Sequence, residues 1–489
     1  MQFEMISGEM DAWGVFERKC SAESYNLSGI HFGFPRYLKV AKIIPVFKAG
    51  DAQLVTNYRP ISILAIFSKI FEKMVCSRLE SYLAQNNILP KNQFGFRRKV
   101  STCSALLQLV DKISASMDNK KTTIGVFIDL AKAFDTVDHN ILLNKLEFYG
   151  VRGIALEWFR SYLIQRKQYV IVNGKSSAMS SVKCGVPQGS ILGPILFLIY
   201  INYLNYVSSK LENIMFADDT NLFLTGNSIP DVESQLNEEL AIISEWFQSN
   251  RLSLNVKKTS YMIFNHKKKL TARLFINNVP LEVQCDSKFL GVILSSSLKW
   301  NKHIELVRNK ISKNVGIVSK VRHLLPQDLT RNLYLTLVNS YICYCNLVWS
   351  LPEQTTSLNK IVKIKKKYVR LITFSNFREH SRPLFQQLLI LSVYDTFEYQ
   401  LLIHVYRSLN NLIPNSNHYY TLNSSIHNYE TRQRSNLHPP LCRTTHRQNT
   451  ITSLGPSLWN ELSIEIRLSP SLPVFKKKIK SLILFPEGS

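Results

Sequence analysis

Asp218 and Asp219 stand side by side between apolar runs, Ile214-Met215 before Phe216-Ala217 and Leu222-Phe223-Leu224 after. Neighbouring side chains on a regular strand point to opposite faces. Paired acids at the break of a strand–turn–strand therefore suit one task, holding divalent cations at the tip of a hairpin. The four residues 216–219 alone describe a solvated turn equally well, but a second acid changes the balance. Thr123-Ile124-Gly125-Val126-Phe127-Ile128 is an apolar, β-branched run that ends in Asp129 and leads at once into Leu130-Ala131-Lys132-Ala133-Phe134-Asp135. It reads as a buried strand delivering a carboxylate to its C-terminal end. Asp129 and Asp218 are 89 positions apart, so only a fold could bring them together. Two strand-end carboxylates that converge can hold two Mg²⁺ ions about 3.5–4 Å apart, which activate an attacking oxygen and stabilise the leaving one in an in-line displacement. Mg²⁺ takes few carboxylates and completes its shell with substrate phosphates. That chemistry is nucleotidyl transfer.

The surrounding chain supplies elements to position these acids. Residues 37–48 read as a strand with Lys39, Lys42 and Lys48 interleaved, closed by Ala49-Gly50-Asp51. After Asn57–Ser62, the residues Leu64, Phe67, Phe71, Met74, Val75, Leu79 and Leu83 recur at helical spacing and predict an amphipathic helix with that set as its buried face. Gln93-Phe94-Gly95-Phe96-Arg97-Arg98 predicts a turn that exposes two guanidiniums, and Arg59 and Arg97 would suit a triphosphate clamp because guanidinium meets phosphate in bidentate fashion. Cys184–Ser190 is a Gly/Pro turn ahead of an apolar helix, 191–206, whose N-terminus could face an incoming anion. Asp231 is expected to cap the next helix, with Val232, Leu236, Leu240, Ile243 and Phe247 inside and Glu233, Glu238, Glu239 and Glu245 outside. Residues 252–259 lead to a strand over Tyr261–Phe264, and Lys258 there could hold or protonate pyrophosphate. Phe289–Val292 predicts a short strand, and Ile304, Val307, Ile311, Val315 and Val318 mark a buried helical face beyond it.

Composition agrees with a polyanionic partner. Among 489 residues, 60 Lys and Arg face 35 Asp and Glu, a formal +25, and residues 301–489 carry 25 basic against 10 acidic side chains. Such an excess favours phosphate backbones through counterion release. Lys360, Lys363, Lys365, Lys366, Lys367 and Arg370 fall on one helical stretch that reads as a phosphate-tracking face. Eight cysteines without a CxxC pair read as free, mostly buried thiols of a reducing compartment. Residues 1–10 show no basic, apolar signal pattern. The longest apolar run, Ile191–Ile201, is about half of a membrane span and contains Gly-Pro, so it reads as a core helix.

Taken in order, Asn57–Ser62, Gln93–Arg97, Phe127–Asp135, Gly185–Ser190, Phe216–Asp219, Asn255–Thr259 and Phe289–Gly291 resemble the fingers and palm motifs of reverse transcriptases. More closely they resemble those of non-LTR (LINE-type) retrotransposons of the Jockey-like branch, over roughly residues 30–300. A weaker likeness runs on through Arg443-Thr444 and Leu454–Asn460 to the basic helix Phe475–Lys480. The resemblance implies an α+β right-hand polymerase with palm, fingers and thumb and a basic, mostly helical C-terminal region. Its implied activity is RNA-directed DNA polymerase, a nucleotidyltransferase adding dNTPs to a primer 3′-OH with two Mg²⁺ ions, Mn²⁺ being the alternative ion. On the matching positions, Asp129 and Asp218 would bind the metals and Asp219 would support them. Phe134 would block a ribose 2′-OH, and Gln188 and Gly189 would shape the nucleotide and template pocket. Arg59 and Arg97 would lie by the triphosphate, Lys258 by the leaving pyrophosphate, and Phe289, Leu290 and Gly291 under the primer end. Asp135 and Asp138 are not expected to bind metal. The implied partners are an RNA template, a DNA primer or target and dNTPs, with no membrane, and the implied residence is the nucleus.

The expected division is a lead-in over 1–29, fingers and palm over 30–294, a helical thumb-like region over 295–375 and a basic C-terminal region over 376–489. An endonuclease domain is not expected ahead of the polymerase motifs, and an RNase H domain is not expected after them, since residues 301–489 offer only Asp328 and Asp395 as aspartates. Residues 414–436, rich in Asn, Ser, His and Tyr, read as a loop or linker. The alternative is a catalytically silent RNA- or DNA-binding relic of a mobile element. A two-metal nuclease lacks a general base or third acid at useful spacing.

Overall fold

The structure is a computed structural model that describes residues 33–265, 270–414, 419–426 and 433–486. The lead-in 1–29 and much of the linker at 414–436 lie outside the described residues. The chain forms two compact units, each discontinuous in sequence. One takes the chain up to Pro90 with Asp129–Ser209 and Ala241–Asn255; the other takes Lys91–Ile128, Lys210–Leu240 and everything from Val256 onward. Both mix helices with a sheet, as the α+β expectation requires.

In the first unit, the strand Val40–Phe47 pairs antiparallel with Tyr58–Ile63, Val46 facing Arg59, and parallel with Lys167–Val172. The helix Leu192–Ile201 is apolar all round and buried at every residue but Pro194. A helix of that kind belongs in a core. Its N-terminus is already occupied by an anion of the protein. Glu72, fully buried, accepts from the Ile191 N–H at 2.6 Å and the Leu192 N–H at 3.3 Å, and from the Ser68 hydroxyl at 2.9 Å. The open anion seat read from the sequence is therefore filled. This also corrects the face of the helix Ile66–Gln85. Val75, Leu79 and Leu83 are buried as expected, and Leu64 is buried just ahead of it, but Phe67, Phe71 and Met74 are 68%, 42% and 45% exposed. Apolar residues occupy both sides of this helix, so spacing could not select one; the demand of the Ile191 and Leu192 amides for Glu72 does.

The second unit is built on a five-stranded sheet ordered 282–283, 260–264, 122–128, 219–226, 212–216. Its central strand Thr122–Ile128 is buried throughout, which explains the unbroken apolar, β-branched run. The helix Thr102–Asp118 packs on this sheet. Beyond it, the helix Asn301–Val321 buries Ile304, Val307, Ile311, Val315 and Val318, the face that spacing predicted. One apolar core runs from Phe94 through the 102–118 helix and the sheet to Phe475 and Ile479 near the C-terminus. The sequence boundaries at 295 and 376 both fall inside this unit.

Several local expectations change. The helix Ile229–Ser249 starts before Asp231, whose N–H donates to the Ser228 hydroxyl at 3.3 Å; Ser228 takes the capping role. The stripe Val232, Leu236, Leu240, Ile243 and Phe247 is buried, but so is Glu239, whose carboxylate lies 3.4 Å from Lys210. Residues 286–295 form a hairpin, not a single strand. Within the helix Thr355–Thr373, Lys363, Lys366 and Lys367 are exposed, whereas Lys365 is buried over the Tyr334 ring. Among the described residues the cysteines form no disulfide; Cys184 and Cys285 are exposed, Cys76 and Cys345 are buried and the other three are intermediate, so they are not mostly buried as expected. Among the described residues no helix is long and apolar enough to cross a membrane.

Candidate active site

Strands Glu212–Phe216 and Asp219–Gly226 pair antiparallel with Phe216 opposite Asp219, leaving Ala217 and Asp218 as the whole turn. Ala217 has φ +58°, a left-handed conformation that a residue with a side chain adopts only at some cost. A neighbouring loop holds it there. Gln93 Oε1 accepts from the Ala217 N–H at 3.1 Å and from the Gly95 N–H at 2.8 Å. The Phe94 N–H donates to the Met215 carbonyl at 2.8 Å, and the Met215 N–H to the Asn92 carbonyl at 3.0 Å. A Cβ on Gly95 would stand 2.2 Å from the Ala217 nitrogen, so only glycine lets the loop lie this close. The clamp fixes the turn that presents Asp218, half-buried, and Asp219, exposed. Arg97 departs from its expected exposure: it is half-buried, its Nη1 donates to the Gln93 carbonyl at 3.2 Å, and burial lowers its pKa. Only Arg98 of the pair is exposed.

In the same sheet Ile128 faces Thr220, which places the C-terminal end of the central strand at the edge that carries the 217–218 turn. Asp129 is the next residue of the chain. Its Oδ2 accepts from Asn255 Nδ2 at 3.0 Å, and its carbonyl accepts from the Asn255 N–H at 2.8 Å. Leu130 bridges Leu254 beside it. Asn255 thus grips the residue through both backbone and side chain. Lys258 is exposed just ahead of the strand Ser260–Phe264. Phe289 is buried, its ring 6.2 Å from that of Phe127, and Leu290 and Gly291 form the tip of the 286–295 hairpin, where the Tyr344 hydroxyl donates to the Leu290 carbonyl at 2.7 Å.

The first unit gathers a second set. The Phe134 ring stacks on Phe197 at 4.6 Å, and the Phe134 carbonyl accepts from the Val186 N–H at 2.9 Å. Gln188 Nε2 donates to Asp135 Oδ1 at 2.9 Å, while its carbonyl accepts from the Ser62 N–H at 2.7 Å. Gly189 has φ +122°, and a Cβ there would meet the Ser62 carbonyl oxygen at 2.5 Å. Burial pushes the Asp135 carboxyl up, against the opposing effects of Gln188 and Lys132. Asp138 caps the helix His139–Phe148 through the Asn140 and Ile141 N–H groups. Burial works against its charge, yet the Ile141 N–H and the Arg251 guanidinium hold it below the usual carboxylate range. Both acids thus have hydrogen-bond partners within the protein. Arg59 is exposed on its strand.

The profile of the reverse transcriptase (RNA-dependent DNA polymerase) family matches residues 46–294, half of the chain. The chain belongs to the reverse transcriptase family. Among its relatives, the probable RNA-directed DNA polymerase from transposon BS of Drosophila melanogaster is 29% identical, covering 70% of this chain and 39% of that one. The RNA-directed DNA polymerase from mobile element jockey of the same organism is 27% identical, covering 78% and 43% respectively. The resemblance to Jockey-like elements is borne out by these relatives. This chain spans about two fifths of their length. Among solved structures, apo telomerase from Candida tropicalis overlaps with a TM-score of 0.39 at 11% identity, covering 78% of this chain and 66% of that one; so loose a likeness carries no weight.

For this member of the reverse transcriptase family, the donor types bear on the divalent metals that the family uses. Asp129, Asp218 and Asp219 each offer hard carboxylate oxygens, though among the described residues no three His, Cys, Asp or Glu side chains gather as a metal-binding group. Few protein carboxylates suit Mg²⁺, which keeps positions for water and phosphate, whereas Zn²⁺ would ask for a tighter N/S set. Sequence reasoning missed Gln93 and Asn255 as the residues that fix the acids. The signal available was an amide beside each motif, Gln93 ahead of Phe94-Gly95 and Asn255 ahead of Val256-Lys257-Lys258.

Proposed function

We propose that this chain carries out RNA-directed DNA synthesis as the polymerase portion of a non-LTR mobile element, adding dNTPs to a primer 3′-OH on an RNA template. The observation that carries the reading is the family match over residues 46–294 falling on a clamped turn at Asp218. Asp129 and Asp218 hold Mg²⁺, with Asp219 in support. When bound, the ions supply charge neutralisation at the α-phosphate and a more acidic primer hydroxyl. Asn255 orients Asp129 through the 3.0 Å hydrogen bond, and Gln93 keeps Asp218 on a fixed turn. Phe134, braced on Phe197, supplies a flat wall against a ribose 2′-OH. Gln188 and Gly189 shape the floor of the nucleotide and template pocket, tied to Ser62. Arg59, Arg97 and Lys258 meet phosphate charge, and Phe289, Leu290 and Gly291 support the primer end. Residues 295–375 serve as the thumb, and target-primed synthesis places the protein in the nucleus.

The test is extension of a DNA primer annealed to RNA with Mg²⁺ and dNTPs, run beside Asp218→Ala. The parent should extend, and the variant should lose on the order of 10³-fold or more. Near-normal extension by Asp218→Ala removes the site assignment. Salt-sensitive binding of primer–template by both proteins with extension by neither identifies a silent binding relic.

A further inference from the structure

Among the described residues, two buried cations in the first unit have no carboxylate partner. Arg166 is 1% exposed and Lys39 is 4% exposed. Arg166 Nη1 donates to the Tyr162 carbonyl at 3.1 Å, and the guanidinium lies over the Tyr162 ring at 4.9 Å and the Phe34 ring at 5.9 Å. Its Nη2 is buried with no hydrogen-bond partner. Lys39 Nζ meets, among the described residues, a neutral hydroxyl, Ser161 Oγ, at 3.3 Å. The two cations sense each other, since Lys39 is lowered by burial and then by the charge of Arg166. Among the described residues no carboxylate pairs with either. An uncompensated buried charge is costly unless an ion meets it.

Arg166 lines a cavity of about 340 Å³, within the range of small-ligand sites. Lys132, Lys167 and Lys183, all exposed, stand at its margin. The one acid in the lining, Asp135, is occupied by Gln188 at 2.9 Å. Four cations line one cavity, and the most buried of them, Arg166, has a donor without a partner.

We propose that this cavity is a phosphate-binding pocket in which the Arg166 guanidinium, backed by Lys39 and rimmed by Lys132, Lys167 and Lys183, seats a backbone phosphate of the single-stranded template. The proposal rests on the polymerase reading for its ligand, though not for its test. A planar fork with an unpartnered N–H matches a phosphate's paired oxygens, and its place against the Tyr162 and Phe34 rings restricts its orientation. Extended strands follow such basic grooves through successive phosphates, and the exposed lysines at the rim supply the neighbouring contacts.

The experiment compares the full chain with Arg166→Met, with no metal and no dNTP, using a labelled single-stranded RNA across a salt series. The variant should bind RNA about tenfold more weakly or worse, and its log–log salt slope should fall by about 0.7, one single-strand phosphate contact. Its melting temperature should match or exceed the parent's, because an uncompensated buried charge is gone; a merely structural arginine would lower it and leave the slope alone. Protection by inorganic tripolyphosphate separates the two sources of phosphate. Lost protection with unchanged RNA slope would overturn the template assignment and place a nucleotide triphosphate in the pocket. Unchanged slope, RNA affinity and tripolyphosphate protection in a folded Arg166→Met would overturn the site. Should Arg166→Met fail to fold, the exposed Lys167→Gln and Lys183→Gln variants carry the same slope test. None of these readings needs catalysis, so failed primer extension leaves them intact.

Discussion

Ala217 illustrates how a single backbone angle becomes a functional requirement. Its φ of +58° turns the chain between two strands in two residues, and the Gln93 side chain satisfies the turn's N–H from 124 positions away. Replacing Gln93 with Leu leaves the Ala217 and Gly95 N–H groups without their acceptor in a buried place, at about 1–3 kcal/mol for each buried donor. The turn should relax, Asp218 should move with it, and primer extension should fall by about 10–100-fold while far-ultraviolet circular dichroism stays that of the parent. Unchanged extension would detach the clamp from the chemistry. Lys365 makes the opposite kind of residue, one the molecule tolerates at a cost. Burial lowers it to about 8, with Cys343 and Asp395 too weak to restore it, and its nearest polar contact is the Thr396 hydroxyl at 3.4 Å. Between pH 8 and the ordinary lysine value the unfolded chain holds a proton that the folded one has released, so stability rises with pH across that window; below 8 the penalty is constant. Lys365→Met should therefore raise the unfolding free energy at pH 7 by about 1–3 kcal/mol and abolish the rise toward pH 10, which urea melts at the two pH values would read.

At the scale of elements, a helix end decides which face of another helix turns inward. Glu72 sits fully buried against the first amides of the helix Leu192–Ile201, where the helix dipole favours a negative charge. Glu72→Ala would strand the Ile191 and Leu192 N–H groups in the core, and the unfolding free energy should fall by about 3–5 kcal/mol. Glu72→Gln keeps an acceptor and should lose clearly less; equal losses would mean that packing volume matters and the hydrogen bonds do not. This contact also marks where sequence reading stops. The strand at 122–128 and the helical stripe at 304–318 were legible because burial on a regular element writes its own period into the chain. The positions of residues 129 and 218, one just after a buried strand and one in a hairpin turn, were legible because an apolar run that stops at a carboxylate marks where a strand ends. Phe67, Phe71 and Met74 were placed on the wrong side because the helix 66–85 is apolar on two faces, and the choice between them depends on a partner 119 positions away. Gln93 and Asn255 were missed for the same reason: an amide carries no period, and its meaning lies in the distant N–H or carboxylate it meets.

At the scale of the whole molecule, the second unit joins the sheet that carries Asp218 to the C-terminal region through one continuous core, from Phe94 to Ile479. Two carboxylates on the helix Thr102–Asp118 fasten that region down. Asp118 accepts from the Arg443 N–H at 3.1 Å and from the Thr444 N–H and hydroxyl at 2.7 Å each, and Asp111 accepts from the Thr452 hydroxyl at 3.0 Å and from the Arg447 guanidinium. The Thr444 and Arg443 contacts outweigh burial and hold the Asp118 carboxyl below its ordinary value. The Arg443-Thr444 pair noticed in the sequence thus has a structural task. A chain shortened to residues 1–375 would keep every polymerase motif yet lose Leu384, Phe397, Leu401, Trp459 and Phe475 from the shared core. Each buried side chain of that size contributes about 1.5–3 kcal/mol, so these five together are comparable to the whole 5–15 kcal/mol that typically holds a domain together. The shortened chain should therefore appear in the insoluble fraction, or melt without a cooperative transition by calorimetry, even though none of the candidate site residues has been touched. A soluble 1–375 chain with a sharp melt and parent-like primer extension would instead make residues 376–489 an appended module, and the apolar contacts that cross residue 376 would count for little in the stability of the polymerase.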